Sequence, residues 1–162
     1  MPLNPAQLQD ALLRLSTTEK PGSPFEAAQK IAAAYEQYCL GGIAAGFPLA
    51  IPGPGRATME AALALAFQMQ PGMPPVVAQG YGAMVTLFWS AAVFAAVPFP
   101  GIASPPAAVP VLIGSLTGLF ATQNPAELYA SLTATALDAC TRSVLVTLPQ
   151  PPPAPPLIVP VL

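Results

Sequence analysis

The sequence predicts a mainly α-helical protein, a compact bundle of five to six helices around a central apolar helix. Three observations support this fold class. The segment from Ala61 to Ala126 contains no Asp, Glu, Lys, Arg or His. Several prolines stand where helices begin, each preceded by a side chain that can accept a hydrogen bond. The chain then ends in a short β-branched segment followed by a proline-rich tail, which predicts a C-terminal strand and an extended arm.

Composition predicts a protein whose surface is covered by other molecules. Charged residues make up 7% of the 162 residues, against roughly 25% in an ordinary soluble domain. The net charge is −2 and the five cations are scattered, which argues against binding to nucleic acid. The first fifteen residues lack a basic segment followed by an apolar one, so we predict no signal peptide.

Four Asn-Pro or Ser-Pro pairs predict helix starts, at Asn4, Ser23, Ser104 and Asn124. Gln or Glu follows three of these caps at the capping-box spacing, at Gln7, Glu26 and Glu127. Five helices are predicted outside the central one: Pro5–Leu15, Pro24–Leu40, Arg56–Gln70, Pro105–Phe120 and Pro125–Thr141. The Gly/Pro-rich segment Gly41–Gly55 is predicted as a loop that lies against the body or a neighbour.

The central segment, Val76–Val97, is apolar on every side when it is drawn as a helix. Such a helix is either the buried centre of a larger body or a membrane span. We favour the buried centre, because Gly80–Phe99 is rich in alanine and has no Lys or Arg near either end. The predicted core residues of this segment are Val85, Phe88, Trp89, Ala92 and Phe94.

The chain is predicted to divide into a helical bundle, residues 1–142, and a C-terminal arm, residues 143–162. Ser143–Leu148 is a predicted strand, and Pro149–Pro156 is nearly all proline and therefore extended. We predict that the arm docks on an adjacent protein chain, because an apolar tail exposed to water is unfavourable. The predicted interaction residues are Val144, Leu145, Val146, Leu148, Leu157, Ile158, Val159, Val161 and Leu162.

The sequence contains no pattern that predicts catalysis, a cofactor or a metal site. It has no histidine, and its carboxylates occur singly. Cys39 and Cys140 are interpreted as small buried hydrophobic residues, with a disulfide between them as the alternative. The start of the last helix, NPAELYASL, is similar to NPAQLQDAL near the beginning of the chain. We interpret this as shared capping chemistry and predict no internal repeat.

The segment Tyr81–Leu162 resembles the small Ala/Pro-rich structural proteins of tailed bacteriophages and related contractile particles. The resemblance rests on the Trp89 helix, PFPGIASPPAAVP and LTATALDACTRSVLVTLPQPPPAPP. It implies a non-enzymatic virion component, in the capsid, neck, tail or baseplate, whose partners are other protein chains. The alternatives are a small helical membrane protein with a span near Gly80–Phe99, and an enzyme or binding module that holds an apolar molecule in its core.

Overall fold

The computed structural model describes residues 3–51, 55–69 and 72–162. Within these residues the chain forms six helices and six strands, in which two helices are always followed by two strands. The helices are α1 Pro5–Thr17, α2 Pro24–Cys39, α3 Arg56–Met69, α4 Pro74–Ser90, α5 Val109–Phe120 and α6 Ala126–Thr141. The strands are β1 Ile43–Ala44, β2 Phe47–Ile51, β3 Val93–Phe94, β4 Gly101–Ala103, β5 Leu145–Leu148 and β6 Leu157–Pro160.

The six strands form one antiparallel sheet in the order of the chain, from β1 to β6. The sheet is nearly closed into a barrel, because Ile43 and Leu162 exchange two backbone hydrogen bonds of 3.2 and 2.9 Å. Pairing the two outer edges leaves few free backbone donors and acceptors. The prediction of a mainly α-helical bundle is therefore wrong: the helices pack with an almost closed β-barrel.

The short strands explain why the barrel is not apparent in the sequence. The predicted loop Gly41–Gly55 contains β1 and β2, and the predicted central helix ends at Ser90, so that Val93 and Phe94 form β3. These segments contain two to five residues, which is too short for a period-two pattern. Strands β2 and β3 pair with each other although helices α3 and α4 separate them in the sequence, a type of contact that local propensity does not reveal.

Two of the predicted helix caps are present as expected. The Asn4 side chain accepts a hydrogen bond from the Ala6 N–H, and Ser23 accepts one from the Glu26 N–H at 3.1 Å. The other two predicted caps are wrong. Helix α5 begins at Val109 and not after Ser104, and the Asn124 amide donates back to the Leu119 carbonyl at 3.1 Å without capping α6.

The order helix–helix–strand–strand occurs three times, so the chain consists of three similar units. Unit 1 is residues 5–51, unit 2 is 56–103 and unit 3 is 109–162. In each unit the second helix begins 19 residues before the strand that follows it. The same backbone hydrogen bond also recurs in each hairpin: Leu49 to Gly42, Ala103 to Ala92 and Val161 to Val144. The prediction that the chain has no internal repeat is therefore wrong.

The buried positions repeat with the units. The first helix of each unit buries its fourth and eighth residues, and the second helix buries an alanine at its fifth position. These equivalent residues are Leu8, Met59 and Leu112; Leu12, Leu63 and Leu116; and Ala28, Ala78 and Ala130. The alanine at the fifth position of the second helix is fully buried in all three units. The core is therefore built from one hydrophobic pattern used three times.

Candidate interaction surface

The outer face of the sheet is apolar where three strands lie side by side. The strand register aligns Ile102 of β4 with Thr147 of β5, and Thr147 with Ile158 of β6. Leu145 lies opposite Pro160 in a neighbouring row. Cross-strand neighbours on one face are close enough for their side chains to contact each other. Their exposed fractions are 59% for Ile102 and 60% for Ile158, so this face is open to solvent.

The hairpin connections carry further exposed apolar residues. Val97 is 84% exposed and Phe99 is 50% exposed in the connection between β3 and β4. Residues 150–156, between β5 and β6, are exposed and mostly proline. The three hairpins, residues 41–51, 93–103 and 143–162, contain no charged residue. We define the outer barrel surface as the exposed large apolar residues of these strands and connections, which are Val97, Phe99, Ile102, Leu145, Leu157, Ile158 and Leu162; Leu157 is included for its exposure, although its register partner Leu148 is buried.

The inside of the barrel is filled by side chains. A Cβ atom placed on Gly101 would be 2.5 Å from Leu148 Cδ2 and 3.0 Å from Val146 Cγ1. Phe94 is fully buried, and its ring stacks with that of Trp89 at a centroid separation of 6.4 Å. Contacts this close show that the barrel is a packed core at Gly101 and not a ligand channel.

Three buried polar side chains, one from each unit, meet between the second helices. Trp89 Nε1 donates to the Tyr35 hydroxyl at 2.9 Å, and that hydroxyl lies 2.8 Å from Thr141 Oγ1. All three residues are fully buried. Burial raises the pKa of Tyr35 well above its ordinary value. Because solvent does not reach this cluster, we interpret it as a connection between units and not as a reactive site.

A second polar link joins unit 1 to unit 3. The Tyr38 hydroxyl donates to Asp138 Oδ1 at 2.5 Å, and Arg142 Nε donates to Asp138 Oδ2 at 2.8 Å. Burial, and then the hydrogen bond to Asp138, raise the pKa of Tyr38 far above its usual range. The bond to Asp138 also raises the pKa of Arg142. This arrangement fixes the helix ends nearest the barrel in defined positions.

The nine interaction residues predicted from the sequence separate into three groups by burial. Four are exposed on the outer barrel surface: Leu145, Leu157, Ile158 and Leu162. Val159 is partly buried, and the other four are buried in the chain's own core: Val144, Val146, Leu148 and Val161. Strand β6 pairs with β5 of the same chain. Docking of this segment on a neighbouring chain stays a prediction.

Sequence reasoning missed three residues of this surface, which are Val97, Phe99 and Ile102. A signal for them was present, because large apolar side chains stand among prolines in an uncharged connection. The predicted core residues of the central segment, Val85, Phe88, Trp89, Ala92 and Phe94, are all fully buried. Trp89 and Phe94 belong to different elements, a helix and a strand, although the sequence placed them in one helix.

Groups suited to metal binding or to nucleophilic chemistry are not assembled at this surface. No cluster of three or more His, Cys, Asp or Glu residues occurs within residues 3–51, 55–69 and 72–162. Cys39 and Cys140 are both free and buried, so the predicted disulfide alternative is not formed. Burial raises the pKa of Cys39, and that of Cys140 to about 11, so both thiols are kept in the unreactive protonated form.

Over the described part of the chain, every helix falls short of the combined length and apolar character needed to cross a bilayer. Comparison with known proteins gave no match to a family model, to a curated protein or to a solved structure.

Proposed function

We propose that the protein is a non-enzymatic structural subunit of a large assembly and that the outer barrel surface contacts other protein chains. The observation that carries this proposal is the combination of seven exposed large hydrophobic residues with hairpins that contain no charge. An uncharged apolar patch at one end of a protein is typical of an interaction site. Interfaces of permanent complexes are apolar in the same way.

We further propose that the large assembly is a bacteriophage particle. This proposal is supported by the resemblance of residues 81–162 to Ala/Pro-rich structural proteins of tailed phages and by a charged fraction of 7%. A chain with so few charges is poorly suited to stay dispersed as a monomer in water. The particle would supply the protein partners that cover the apolar surface.

The first experiment tests the outer barrel surface. Ile102→Glu and Ile158→Glu each replace an exposed apolar side chain by a charged one, on the strands β4 and β6 that flank β5, where the folded monomer tolerates it. We expect the double variant to lose its association with co-purified protein chains in sedimentation velocity. Gln9→Glu, on α1 outside this surface, is the control and keeps the association. An unchanged sedimentation profile of the double variant would contradict the proposal.

The second experiment tests the particle. Detergent-free lysate from the native source is separated on a density gradient, and the protein is followed by mass spectrometry. We expect the chain at a fixed stoichiometry in dense virion fractions, together with other structural proteins. Recovery only in lipid fractions or only at the density of free small proteins would overturn the virion assignment.

A further inference from the structure

A groove lies between the first and second helices in unit 1 and in unit 3, and the two grooves differ in volume and in charge. In unit 1 this groove has a volume of about 310 Å³, and its lining includes the charged residues Arg14, Glu19 and Lys30. In unit 3 the groove has a volume of about 620 Å³. Its lining residues are Gly114, Ser115, Leu116, Gly118, Leu119, Thr122, Asn124, Leu132, Thr135, Ala136 and Ala139. None of these is charged.

Where the unit 1 groove has charged residues, unit 3 has uncharged residues at the equivalent positions. Counted from the helix starts, Arg14 corresponds to Gly118, and Lys30 corresponds to Leu132. Leu132 is 44% exposed, and a Cβ atom at Gly118 would meet nothing within 4 Å. The α5/α6 groove, as we name it, is therefore open, apolar and without the charges that keep its counterpart in unit 1 hydrated.

In unit 2, helices α3 and α4 pack directly against each other at the helix position whose side chain keeps the two helices apart in units 1 and 3. Gly80 stands where unit 1 has Lys30 and unit 3 has Leu132. A Cβ atom on Gly80 would be only 2.5 Å from the Ala66 Cβ atom. The larger side chains at the equivalent positions prevent this approach. Leu132 therefore keeps α5 and α6 apart and leaves the α5/α6 groove open, whereas Gly80 lets α3 and α4 come together in unit 2.

Unit 2 carries a feature complementary to this groove. Helix α3 has four exposed apolar residues spaced four apart: Ala57, Ala61, Leu65 and Met69. Leu65 and Met69 are 57% and 66% exposed. Residues at this spacing form a ridge on a helix, and helices associate when a ridge of one enters a groove of another. We name this row the α3 ridge. It is about 18 Å long at 1.5 Å per residue.

We propose that the α3 ridge of one copy docks in the α5/α6 groove of a second copy. Both surfaces are uncharged, so the contact leaves no charge without a partner. The polar groove residues Thr122, Asn124 and Thr135 would lie at the rim, as polar groups do in protein interfaces. Unit 1, with Arg14, Glu19 and Lys30 in its groove, would stay in water.

Because the ridge and the groove are different surfaces, each copy has one free ridge and one free groove after docking. Contacts of this kind produce closed rings or helical filaments. The inference rests on the proposed function, since it names a second copy of the chain as one of the subunit's partners. It uses a different surface from the outer barrel surface, so the two can be tested separately.

The test uses the full chain, with Leu65→Glu to disrupt the ridge and Leu132→Glu to disrupt the groove. Both side chains are exposed, so circular dichroism should show an unchanged fold. We expect each variant to self-associate at least about 100-fold more weakly than the wild type in sedimentation velocity, because docking would bury an unpaired carboxylate. Val111→Glu is the control, since Val111 is 69% exposed on α5 and does not line the groove.

Mixing the two variants distinguishes this head-to-tail contact from a symmetric one. The Leu65→Glu copy retains an intact groove, and the Leu132→Glu copy retains an intact ridge. We expect the mixture to form a 1:1 dimer that grows no further. Wild-type association in either variant alone, no dimer in the mixture, or a monomeric wild type at high concentration would overturn the inference. Loss of association only in the Ile102/Ile158 double variant would overturn it while supporting the proposed function.

Discussion

Trp89 and Tyr35 are joined by a buried hydrogen bond of 2.9 Å that links the second helices of units 1 and 2. The same tyrosine hydroxyl lies 2.8 Å from Thr141 Oγ1 in unit 3. One side chain therefore contacts polar groups from both other units. Each group in the set has a partner, which is the condition under which a buried polar cluster stabilises a fold.

Tyr35→Phe should destabilise the protein by about 1–3 kcal/mol, because it leaves the Trp89 N–H and the Thr141 hydroxyl without this partner. Urea denaturation followed by circular dichroism measures the change. Tyr129→Phe is the matched control, and its effect should be smaller because Tyr129 is only partly buried. Equal effects of the two substitutions would contradict a special role for Tyr35.

Gly80→Ala should destabilise the protein even though alanine favours helices, because the new Cβ atom would be 2.5 Å from the Ala66 Cβ atom. Separating α3 from α4 should cost about 1–3 kcal/mol. Gly114→Ala is the control in another helix, where nothing lies within 4 Å of the added atom. It should stabilise the protein by about 0.5–1 kcal/mol. Thermal unfolding at low protein concentration distinguishes the two, and a gain in stability from Gly80→Ala would refute the close contact.

Val161→Ala should lower the free energy of unfolding by about 2 kcal/mol, since two buried methyl groups are lost and a cavity remains. Val161 is fully buried beside Gly42 of unit 1. Ile158→Ala, in the same segment but 60% exposed, should change stability much less. Equal, small effects in the isolated monomer would show that residues 157–162 do not pack on their own chain.

Stability should decrease with rising pH above about pH 10. The pKa values of Tyr35, Tyr38, Tyr81 and Tyr129 are all raised in the folded state, chiefly by burial. Above the ordinary tyrosine pKa of 10.0 the unfolded chain has lost protons that the native state retains. Since the unfolded state then binds fewer protons, its formation becomes more favourable as pH rises. Urea midpoints from pH 7 to 11.5 test this, and a constant midpoint would contradict it.

The thiols of Cys39 and Cys140 should be unreactive in the native protein at pH 8. Both are buried, and burial raises both pKa values. A thiol reagent that absorbs on reaction should detect no thiol in the folded chain and two after denaturation. Fast reaction of either cysteine in the native state would show that its helix end is open to solvent.

The helices could be predicted from the sequence because their signals are local. Ser23 caps α2 with the expected contact to the Glu26 N–H, and the predicted bounds of α2 and α6 differ from the observed ones by a single residue. The barrel could not be predicted, because β1 and β3 contain two residues each and are recognised only by their backbone pairing, which for β3 includes the distant strand β2. Long-range pairing, and not intrinsic propensity, determines such strands.

The threefold repeat escaped notice because the units share spacing and burial but few identities. Leu8, Met59 and Leu112 are equivalent and buried, but the positions that follow them, Gln9, Glu60 and Ile113, differ in chemical character. For the same reason, only part of the outer barrel surface could be predicted from the sequence. Leu145 and Ile158 are in a recognisable apolar tail, whereas Ile102 joins the same face of the sheet only through the pairing of β4 with β5.

The near-closure of the barrel also brings residues near the two ends of the described chain close together. Leu3 and Val161 both approach the position of a Cβ atom on Gly42, at 3.6 and 3.1 Å. A short linker could therefore join residues from the two ends of the described chain without distorting the fold. In a circular permutant that begins at Arg56, the units would follow one another as 2, 3 and 1 with each helix pair and hairpin intact. The fold then depends on the cyclic order of its three units and not on which of them is synthesised first.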